Sequence, residues 1–152
     1  DPAGTDNFYM AEVYLLEQNF GTYRDDPGNI IRIDTIRYWR RAWLQSADPI
    51  VKNNDSYYSS AEGKGLLFDD RLFAGQEKTL VVTGDIWNNV REARVVLRHV
   101  SEDYWLYLVS RNEQESNDGN PLAEPVQVFD NVENGFGILG AFSADEIQIE
   151  LP

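Results

Sequence analysis

The stretch FYMAEVYLLE, residues 8–17, is the first of several segments in which apolar and polar side chains alternate. Its odd positions form one apolar face: Tyr9, Ala11, Val13 and Leu15. Glu12 interrupts the opposite face. Because a period of two directs successive side chains to opposite faces of a strand, this stretch predicts a β-strand with one buried face.

Aromatic and β-branched runs recur along the chain, separated by clusters of Asn, Asp, Gly, Ser and Pro, which is typical of all-β proteins. The runs predict further strands at residues 30–44, 66–68, 78–83, 92–100, 125–129 and 146–151. We expect residues 18–29 to form a polar loop and the runs at 78–83 and 92–100 to pair as a hairpin. A change of phase in residues 30–44 predicts a bulge near Asp34 and Thr35.

One segment has a helical period, VSEDYWLYLVSRNE at residues 100–113. Ser101 is the predicted N-cap, and Val100 and Trp105 can form a hydrophobic staple. The apolar positions at helical spacing are Tyr104, Trp105, Leu108 and Val109. Such a stripe usually faces the core. The sequence therefore predicts an antiparallel β-sandwich or partly closed barrel with one inserted α-helix at about residues 101–113.

The length and the start of the chain bear on its organisation. With 152 residues, of which 42% are hydrophobic, the chain is long enough for one core and short for two, so we expect a single β-domain over residues 1–152. It opens on Asp1 and Pro2 rather than Met. We therefore expect a fragment of a longer protein, with any targeting segment upstream.

The charge and the cysteine count exclude several classes of function. Twenty-six acidic residues against 13 basic ones give a net charge of −13, which argues against binding to nucleic acid and to anionic lipid. The chain has no cysteine. A disulfide framework, a thiol nucleophile and a zinc–thiolate site are thereby excluded.

Three passages resemble one family: LLFDDRLFAGQEKTLVV (66–82), VSEDYWLYLVS (100–110) and PLAEPVQVFDNVENGFGILGAFS (121–143). They are similar to the C-terminal part of the Bacteroidota lipoproteins grouped as domain of unknown function 4249. The matching motif positions are Asp69, Asp70, Phe73 and Gly75; Ser101, Tyr104 and Tyr107; and Glu124, Pro125, Val126, Asn131, Gly135, Gly137 and Gly140. The resemblance covers the second half of the chain, whereas the first half matches only in its general strand-and-turn style.

The resemblance implies a place and a partner. It implies a lipid-anchored protein of the outer membrane, periplasmic or surface-exposed, whose acylated Cys and N-terminal β-domain lie upstream. It also implies partnership with a TonB-dependent receptor in nutrient uptake, and it supplies no catalytic residues. We therefore expect a non-catalytic accessory or ligand-binding module. The alternative is a glycan-binding or adhesin-like surface domain, and nothing specific in the sequence supports an enzyme.

The glycine-rich passage around Gly135 and Gly137 predicts a backbone with positive φ, or a close approach to a neighbouring strand, that bends a strand across the end of the domain. A phosphate-binding loop is disfavoured, because a strand-turn-helix context and a following Lys are missing.

Little points to catalysis or to a cofactor. His99 is the one histidine, and a hydrogen-bonded structural role is favoured over a catalytic triad with Ser101 or Ser110. We expect no cofactor. Structural calcium is the alternative, at three oxygen-rich segments that lack EF-hand spacing: Asp25-Asp26, Asn53-Asn54-Asp55 and Asn117-Asp118-Gly119-Asn120.

The segment IRYWRRAWLQ, residues 36–45, concentrates basic and aromatic residues in an acidic chain. Four of them share one parity in a strand: Arg37, Trp39, Arg41 and Trp43. Arg and Trp are frequent at binding hot spots, so this row is the candidate surface for a glycan, peptide or receptor loop. The favoured alternative places both indoles in the core under the helix, with the arginines paired to carboxylates.

Overall fold

The computed structural model of the chain describes residues 6–25, 27–52, 65–84, 89–117 and 122–151, with the backbone alone at residues 31–34. Within these ranges the chain forms seven strands and one helix. The strands are β1 (Phe8–Arg24), β2 (Ile30–Arg41), β3 (Leu44–Gln45), β4 (Leu66–Asp69), β5 (Thr83–Gly84), β6 (Val90–Val100) and β7 (Phe142–Glu150). The helix, α1 (Glu102–Asn117), lies between β6 and β7.

The main sheet has the strand order β2-β1-β6-β7, and every described pair in it is antiparallel. The long strand β1 serves two partners on one side, pairing with β4 through Phe8–Ala11 and with β2 through Tyr14–Arg24. β3 and β5 form a separate two-stranded sheet. The described strands of the main sheet do not close into a barrel, so the architecture is the sandwich-like one of the two predicted forms.

One face of the main sheet carries the larger core. The odd side chains of β1 lie on this face, as their alternation predicts, and they pack against β3, β4 and the segment around residues 80–82. The buried members of this cluster are Leu15, Ala42, Leu44, Ile50, Val51, Leu66, Phe68, Val90 and Ala93. The inward register of β1 is therefore set by its hydrophobic pattern.

The opposite face is covered at one end by α1. Val100 and Trp105 lie in one buried cluster with Phe8, as the staple predicts, and the Phe8 and Trp105 ring centroids are 4.9 Å apart. Tyr104 and Val109 pack against the same cluster. The helix and its core-facing stripe are thus confirmed, and α1 extends about one turn beyond the predicted end.

Strand pairing overrides local composition in the first hairpin. β1 continues to Arg24, so the prediction of a polar loop over residues 18–29 is wrong for most of its length. β2 begins at Ile30, and Gly28 just before it has φ +88°. The predicted bulge at residues 34–35 is also wrong, because the β1–β2 register shifts only near Tyr23 and Arg24. The second half of β1 is polar and mostly exposed. It forms a strand because hydrogen bonds to β2 satisfy its backbone groups.

Two other strand predictions are wrong for a related reason. The segments at residues 78–83 and 92–100 do not pair with each other. The second segment belongs to β6, which lies between β1 and β7. The first contributes only Thr83, to a short pairing with β3. Residues 125–129 form no strand. β6 has long-range partners on both sides, β1 and β7, which a local hairpin could not supply.

Candidate functional site

The face of the main sheet against which α1 packs also carries a cluster of arginines and aromatic rings. Three register pairs assemble it: Tyr14 lies opposite both Arg41 on β2 and Arg94 on β6, and Leu16 lies opposite Trp39. Directly paired residues of antiparallel strands project from the same face. The surface formed by Tyr14, Trp39, Arg41, Arg94 and Arg98 is called here the basic-aromatic face.

Guanidinium groups and aromatic rings alternate across this face. The Arg41 and Arg94 Cζ atoms lie 5.6 Å and 5.2 Å from the centroid of the Tyr14 ring. Arg94 Cζ also lies 4.9 Å from the centroid of Trp39. These distances fall within the range of cation–π attraction, so the rings help to hold the arginines in place.

The buried carboxylate of Glu12 forms ion pairs with two of these arginines, Arg41 and Arg98. Glu12 is 1% exposed. Its Oε1 lies 2.9 Å from Arg41 Nη2 and its Oε2 lies 2.7 Å from Arg98 Nε, and the Tyr14 hydroxyl donates to Oε1 at 3.3 Å. The two arginine side chains remain 32% and 23% exposed. A buried charge is tolerated when ion pairs and hydrogen bonds compensate it, so Glu12 anchors cations that still reach the solvent.

The structure brings three of the four predicted row residues to this face. Arg37, Trp39 and Arg41 pair in register with Gln18, Leu16 and Tyr14. Trp39 is 38% exposed, so the alternative in which its indole is deeply buried under the helix is wrong. Trp43 lies beyond the end of β2 and is half-buried.

The even-numbered residues of β2, Tyr38 and Arg40, project from the other face of the sheet, as strand alternation predicts. Tyr38 donates its hydroxyl hydrogen to Glu17 at 2.7 Å, and Arg40 Nε lies 2.5 Å from the other Glu17 oxygen. The hydrogen bond from Tyr38 and then that from Arg40 hold the pKa of Glu17 below its ordinary value. This pairing stabilises the contact between β1 and β2 on the far face.

The motif residues that carry the family resemblance form structural contacts. In the segment that connects α1 to β7, Asn131 Nδ2 donates to Asp103 and to the Leu139 carbonyl, while the Leu139 N–H donates to Asn131 Oδ1 at 2.8 Å. Gly137 has φ +122°, as predicted, and a Cβ on Gly140 would lie 2.7 Å from Tyr104 Cβ. The segment is a loop and not the bent strand that was expected.

Ser101 joins the start of the helix to the start of β7. Its backbone N–H donates to the Ala141 carbonyl at 2.8 Å, and its Oγ accepts the Ala141 N–H at 3.1 Å. Ser101 occupies the predicted N-cap position, because α1 begins at Glu102 and the Ser101 carbonyl accepts the Trp105 N–H at 2.9 Å. Its hydroxyl, however, accepts a hydrogen bond from Ala141, the residue before β7, rather than from the first turn of the helix.

The first motif, around Asp69 and Asp70, is also structural. Buried Asp70 accepts hydrogen bonds from the backbone N–H and the side-chain amide of Asn7, at 2.8 Å and 2.7 Å. Phe73 packs against the larger core, and Gly75 has φ +72° in the turn that follows. The exposed residues Glu124 and Pro125 line a shallow hollow beside the last turn of α1.

These motif contacts run through both halves of the chain, from Asn7 to Ala141. The family model described as Domain of unknown function (DUF4249) matches residues 1–148. The chain belongs to this family. The match extends well beyond the second half, in which the sequence resemblance was recognised. Neither a curated protein nor a solved structure matches the chain.

At the basic-aromatic face of this DUF4249 chain, three residues of the surface, Tyr14, Arg94 and Arg98, and the buried Glu12 that pairs with it were not predicted as site residues. A weak signal existed, because Arg94 and Arg98 share one parity in a strand otherwise rich in valine. Knowing that β6 pairs with β1, and in which register, would have been needed to place them beside Arg41.

A second feature lies on the other face of the sheet. A cavity of about 740 Å³ opens between β6, β7 and the segment around residues 73–82. Its lining is mainly apolar and includes Tyr9, Phe68, Phe73, Leu80, Leu97 and Ile147. The cavity borders the edge of the sheet at β7.

Among the residues that the structure describes, no group of three or more His, Cys, Asp or Glu side chains could hold a metal ion. The calcium candidates at Asp26, Asn53-Asn54-Asp55 and Asp118-Gly119-Asn120 lie outside the described residues. His99 is exposed, and its ring lies 5.4 Å from that of Tyr9. In the described part of the chain, none of the helices has the length and apolar character needed to span a membrane.

Proposed function

We propose that this chain is a non-catalytic binding module of an outer-membrane lipoprotein that works with a TonB-dependent receptor in nutrient uptake. The basic-aromatic face is its recognition surface. The observation that carries the proposal is the exposed indole of Trp39, with the Arg94 guanidinium 4.9 Å from its ring centroid and Arg41 two residues away on the same strand face.

Charge favours an acidic partner at this face. The chain carries a net charge of −13, yet four arginines lie on β2 and β6, the strands on either side of β1: Arg37, Arg41, Arg94 and Arg98. Such a positive patch on a negative protein orients an approaching anionic group. Arg and Trp are the residue types whose truncation most often weakens a protein interface.

Rigidity favours a role in binding as well. Glu12 holds Arg41 and Arg98, and Tyr14 lies between the guanidinium groups of Arg41 and Arg94. Side chains that are already ordered lose less conformational entropy when a partner docks. The face is therefore suited to recognise an acidic loop of a receptor.

The location of the module completes the proposal. A lipid anchor attached through an upstream segment would hold the domain at the outer membrane, on its periplasmic or its external side, next to the receptor. Anchoring raises the effective concentration of the two partners, so a modest direct affinity is sufficient for function.

The test is a binding titration with the TonB-dependent receptor encoded beside the gene for this chain, purified in detergent. Trp39→Ala and Arg37→Ala should each weaken binding at least tenfold, because they remove exposed side chains of the recognition surface. Ile36→Ala is the matched control, since Ile36 is also exposed, 53% against 38% for Trp39, and lies on the opposite face of β2. The proposal would be contradicted if the wild-type chain did not bind the receptor. It would also be contradicted if Ile36→Ala weakened binding as strongly as Trp39→Ala or Arg37→Ala.

A glycan-binding or adhesin-like role is the second candidate, favoured by the same exposed indole because a Trp face can stack on a sugar ring. A glycan array separates the two candidates. Retention of one glycan class by the wild-type chain, lost in Trp39→Ala and kept in Ile36→Ala, would favour this role over receptor recognition.

A further inference from the structure

The outer edge of β7 is open in the described part of the chain. β7 pairs with β6 along all nine of its residues, in an unbroken register from Glu92 opposite Glu150 to Val100 opposite Phe142. No described strand lies on its other side. Proteins usually protect such edges with charged side chains, proline, bulges or very short strands. The sequence FSADEIQIE has carboxylates, but its ladder is regular and it contains neither proline nor lysine.

Two hydrogen bonds that flank β7 show which of its backbone groups point outward. The Ser101 N–H donates to the Ala141 carbonyl at 2.8 Å, and the Leu151 N–H donates to the Arg91 carbonyl at 2.9 Å. Both β7-side residues have odd numbers, and bonding direction alternates along an antiparallel strand. The even residues therefore direct their N–H and C=O groups to the open edge: Phe142, Ala144, Glu146, Gln148 and Glu150.

The side chains next to this edge are apolar on the cavity face. Ile147 and Ile149 are 68% and 46% exposed, and Leu97 beside them on β6 is 42% exposed. Ile147 and Leu97 also line the apolar cavity of about 740 Å³. An exposed apolar patch that continues into a groove marks a site of interaction.

The charge of the edge is acidic. β7 contains Asp145, Glu146 and Glu150 and no basic residue. Glu146 lies 3.8 Å from Arg94 on β6 and its side chain remains 61% exposed. Opposite charges placed across adjacent strands are stabilising and like charges are destabilising. An added strand should therefore carry lysine or arginine together with apolar residues.

We propose that β7 accepts an extended peptide segment of a partner protein as an additional strand, in which apolar and basic side chains alternate. Its backbone pairs with the outward groups of the even residues of β7. Its apolar side chains cover Ile147 and Ile149 beside the cavity, and its basic side chains, on the other face, approach Glu146 and Glu150. Strand addition of this kind takes affinity from main-chain hydrogen bonds and specificity from alternate side chains. The even side of this site adjoins the basic-aromatic face, because Glu146 Oε2 lies 3.8 Å from Arg94 Nη1. Ile147 lies on the opposite face, beside the cavity.

A second copy of the chain is the competing occupant, because the other edge of the sheet, β2, carries Arg37, Arg40 and Arg41. Pairing β2 of one copy with β7 of the next is heterologous and would give open-ended chains unless the rotation closes a ring. Copies with a net charge of −13 also repel one another. A basic segment from a different protein would neither form open-ended chains nor be repelled by the negative charge.

The test uses a nine-residue synthetic peptide in which valine and lysine alternate, titrated into the isotopically labelled chain and followed by amide NMR. Two further peptides serve as probes: one with glutamate in place of lysine, and one in which the valines and the lysines are grouped. The alternating Val/Lys peptide should slow hydrogen exchange of the amides of Ala144, Glu146 and Gln148, and it should bind at least tenfold more tightly than either control peptide.

The variant Ala144→Pro removes an outward donor and blocks strand addition, but leaves the bonds to β6 intact because proline is tolerated on the solvent side of an edge strand. Ala144→Ser is its control. Binding should fall at least tenfold in the first variant and stay within twofold of wild type in the second, with both variants folded by circular dichroism.

Three results would overturn the proposal. The first is protection of the even β7 amides in the chain alone at low concentration, which would mean that the chain covers its own edge. The second is equal binding of the alternating Val/Lys and Val/Glu peptides. The third is concentration-dependent growth of oligomers that Ala144→Pro abolishes, which would assign the edge to a second copy.

Discussion

The side-chain amide of Asn131 donates a hydrogen bond to the carboxylate of Asp103 at 2.7 Å and to the carbonyl of Leu139 at 3.1 Å. One residue thus closes the loop that precedes β7 and ties it to the first turn of α1. Asp103 also lies at the positive end of the helix dipole, which favours its negative charge there. This motif residue of the family resemblance therefore has a structural role, and the basic-aromatic face that we propose for recognition lies elsewhere.

Replacing Asn131 by alanine should lower the free energy of unfolding by about 2 kcal/mol, because it removes hydrogen bonds at both ends of the loop, one of them to a charged group. Chemical denaturation measures the change. Asn117→Ala, at the exposed end of α1, is the control and should change the stability by less than about 0.5 kcal/mol. Equal effects of the two substitutions would contradict the stabilising role of Asn131.

Local patterns predicted those elements whose burial is strongly periodic. Alternation in β1 and the stripe of α1 predict which side chains pack against the core, and the structure confirms both. β7 contains most of the strand predicted at residues 146–151, but all nine of its residues are exposed. Pairing could not be read from the sequence. β6 pairs with β1 at positions about 80 residues apart, as Ala11 opposite Leu97 shows, and no local signal specifies such a contact.

The candidate site was predictable to a similar degree. The shared face of Arg37, Trp39 and Arg41 followed from parity alone, whereas the role of Glu12 did not. A glutamate among apolar residues suggested an interruption of the strand face, and only the convergence of Arg41 and Arg98 explains why a carboxylate is stable there. Trp43 departs from the expected row because β2 ends at Arg41.

The glycine-rich loop makes a pair of opposite predictions. Gly137 has φ +122°, a conformation that β-branched residues resist, so Gly137→Val should destabilise the chain by more than about 1 kcal/mol. Asn134 has φ +58°, and Asn134→Gly should leave the stability unchanged or raise it slightly, because glycine adopts this region without strain. Thermal unfolding of the two variants decides the point, and a loss of stability in both would contradict it.

The buried charge of Glu12 makes a third prediction. Glu12→Gln keeps the size of the side chain but leaves Arg41 and Arg98 without their counter-charge. We expect a loss of about 2 kcal/mol, less than for a fully buried pair because both guanidinium groups still reach water. Glu115→Gln, which breaks a partly exposed pair with Arg111 four residues away, should cost at most about 0.5 kcal/mol. Similar losses at the two sites would show that Glu12 anchors nothing.

Acid should weaken the fold through Asp69. The hydrogen bond and charge of Arg71, with a further contribution from Lys52, hold the pKa of this buried carboxyl below its ordinary value despite the opposing effect of burial. A depressed folded-state pKa contributes stability above the unfolded pKa of about 4, and that contribution is lost as the pH falls through the folded value.

The pH dependence of the unfolding free energy between pH 6 and pH 2 tests this expectation. Asp69→Asn should be less stable than wild type near neutral pH, and the difference should shrink below about pH 4. Exposed Asp130→Asn is the control. A difference between Asp69→Asn and wild type that stays constant over this range would refute the linkage.

The last prediction concerns Ser101. Its hydroxyl oxygen accepts a hydrogen bond from the Ala141 N–H, and its backbone N–H donates to the Ala141 carbonyl. Ser101→Ala removes the first bond and keeps the second, so the loss should be about 1 kcal/mol, the usual value for one hydrogen bond. The location of the effect distinguishes this role from helix capping. Hydrogen exchange should accelerate at Ala141 and leave the first turn of α1 nearly unchanged. Ser116→Ala, which removes an exposed hydroxyl bonded within the helix, should affect neither. Faster exchange confined to the helix start would restore the capping role instead.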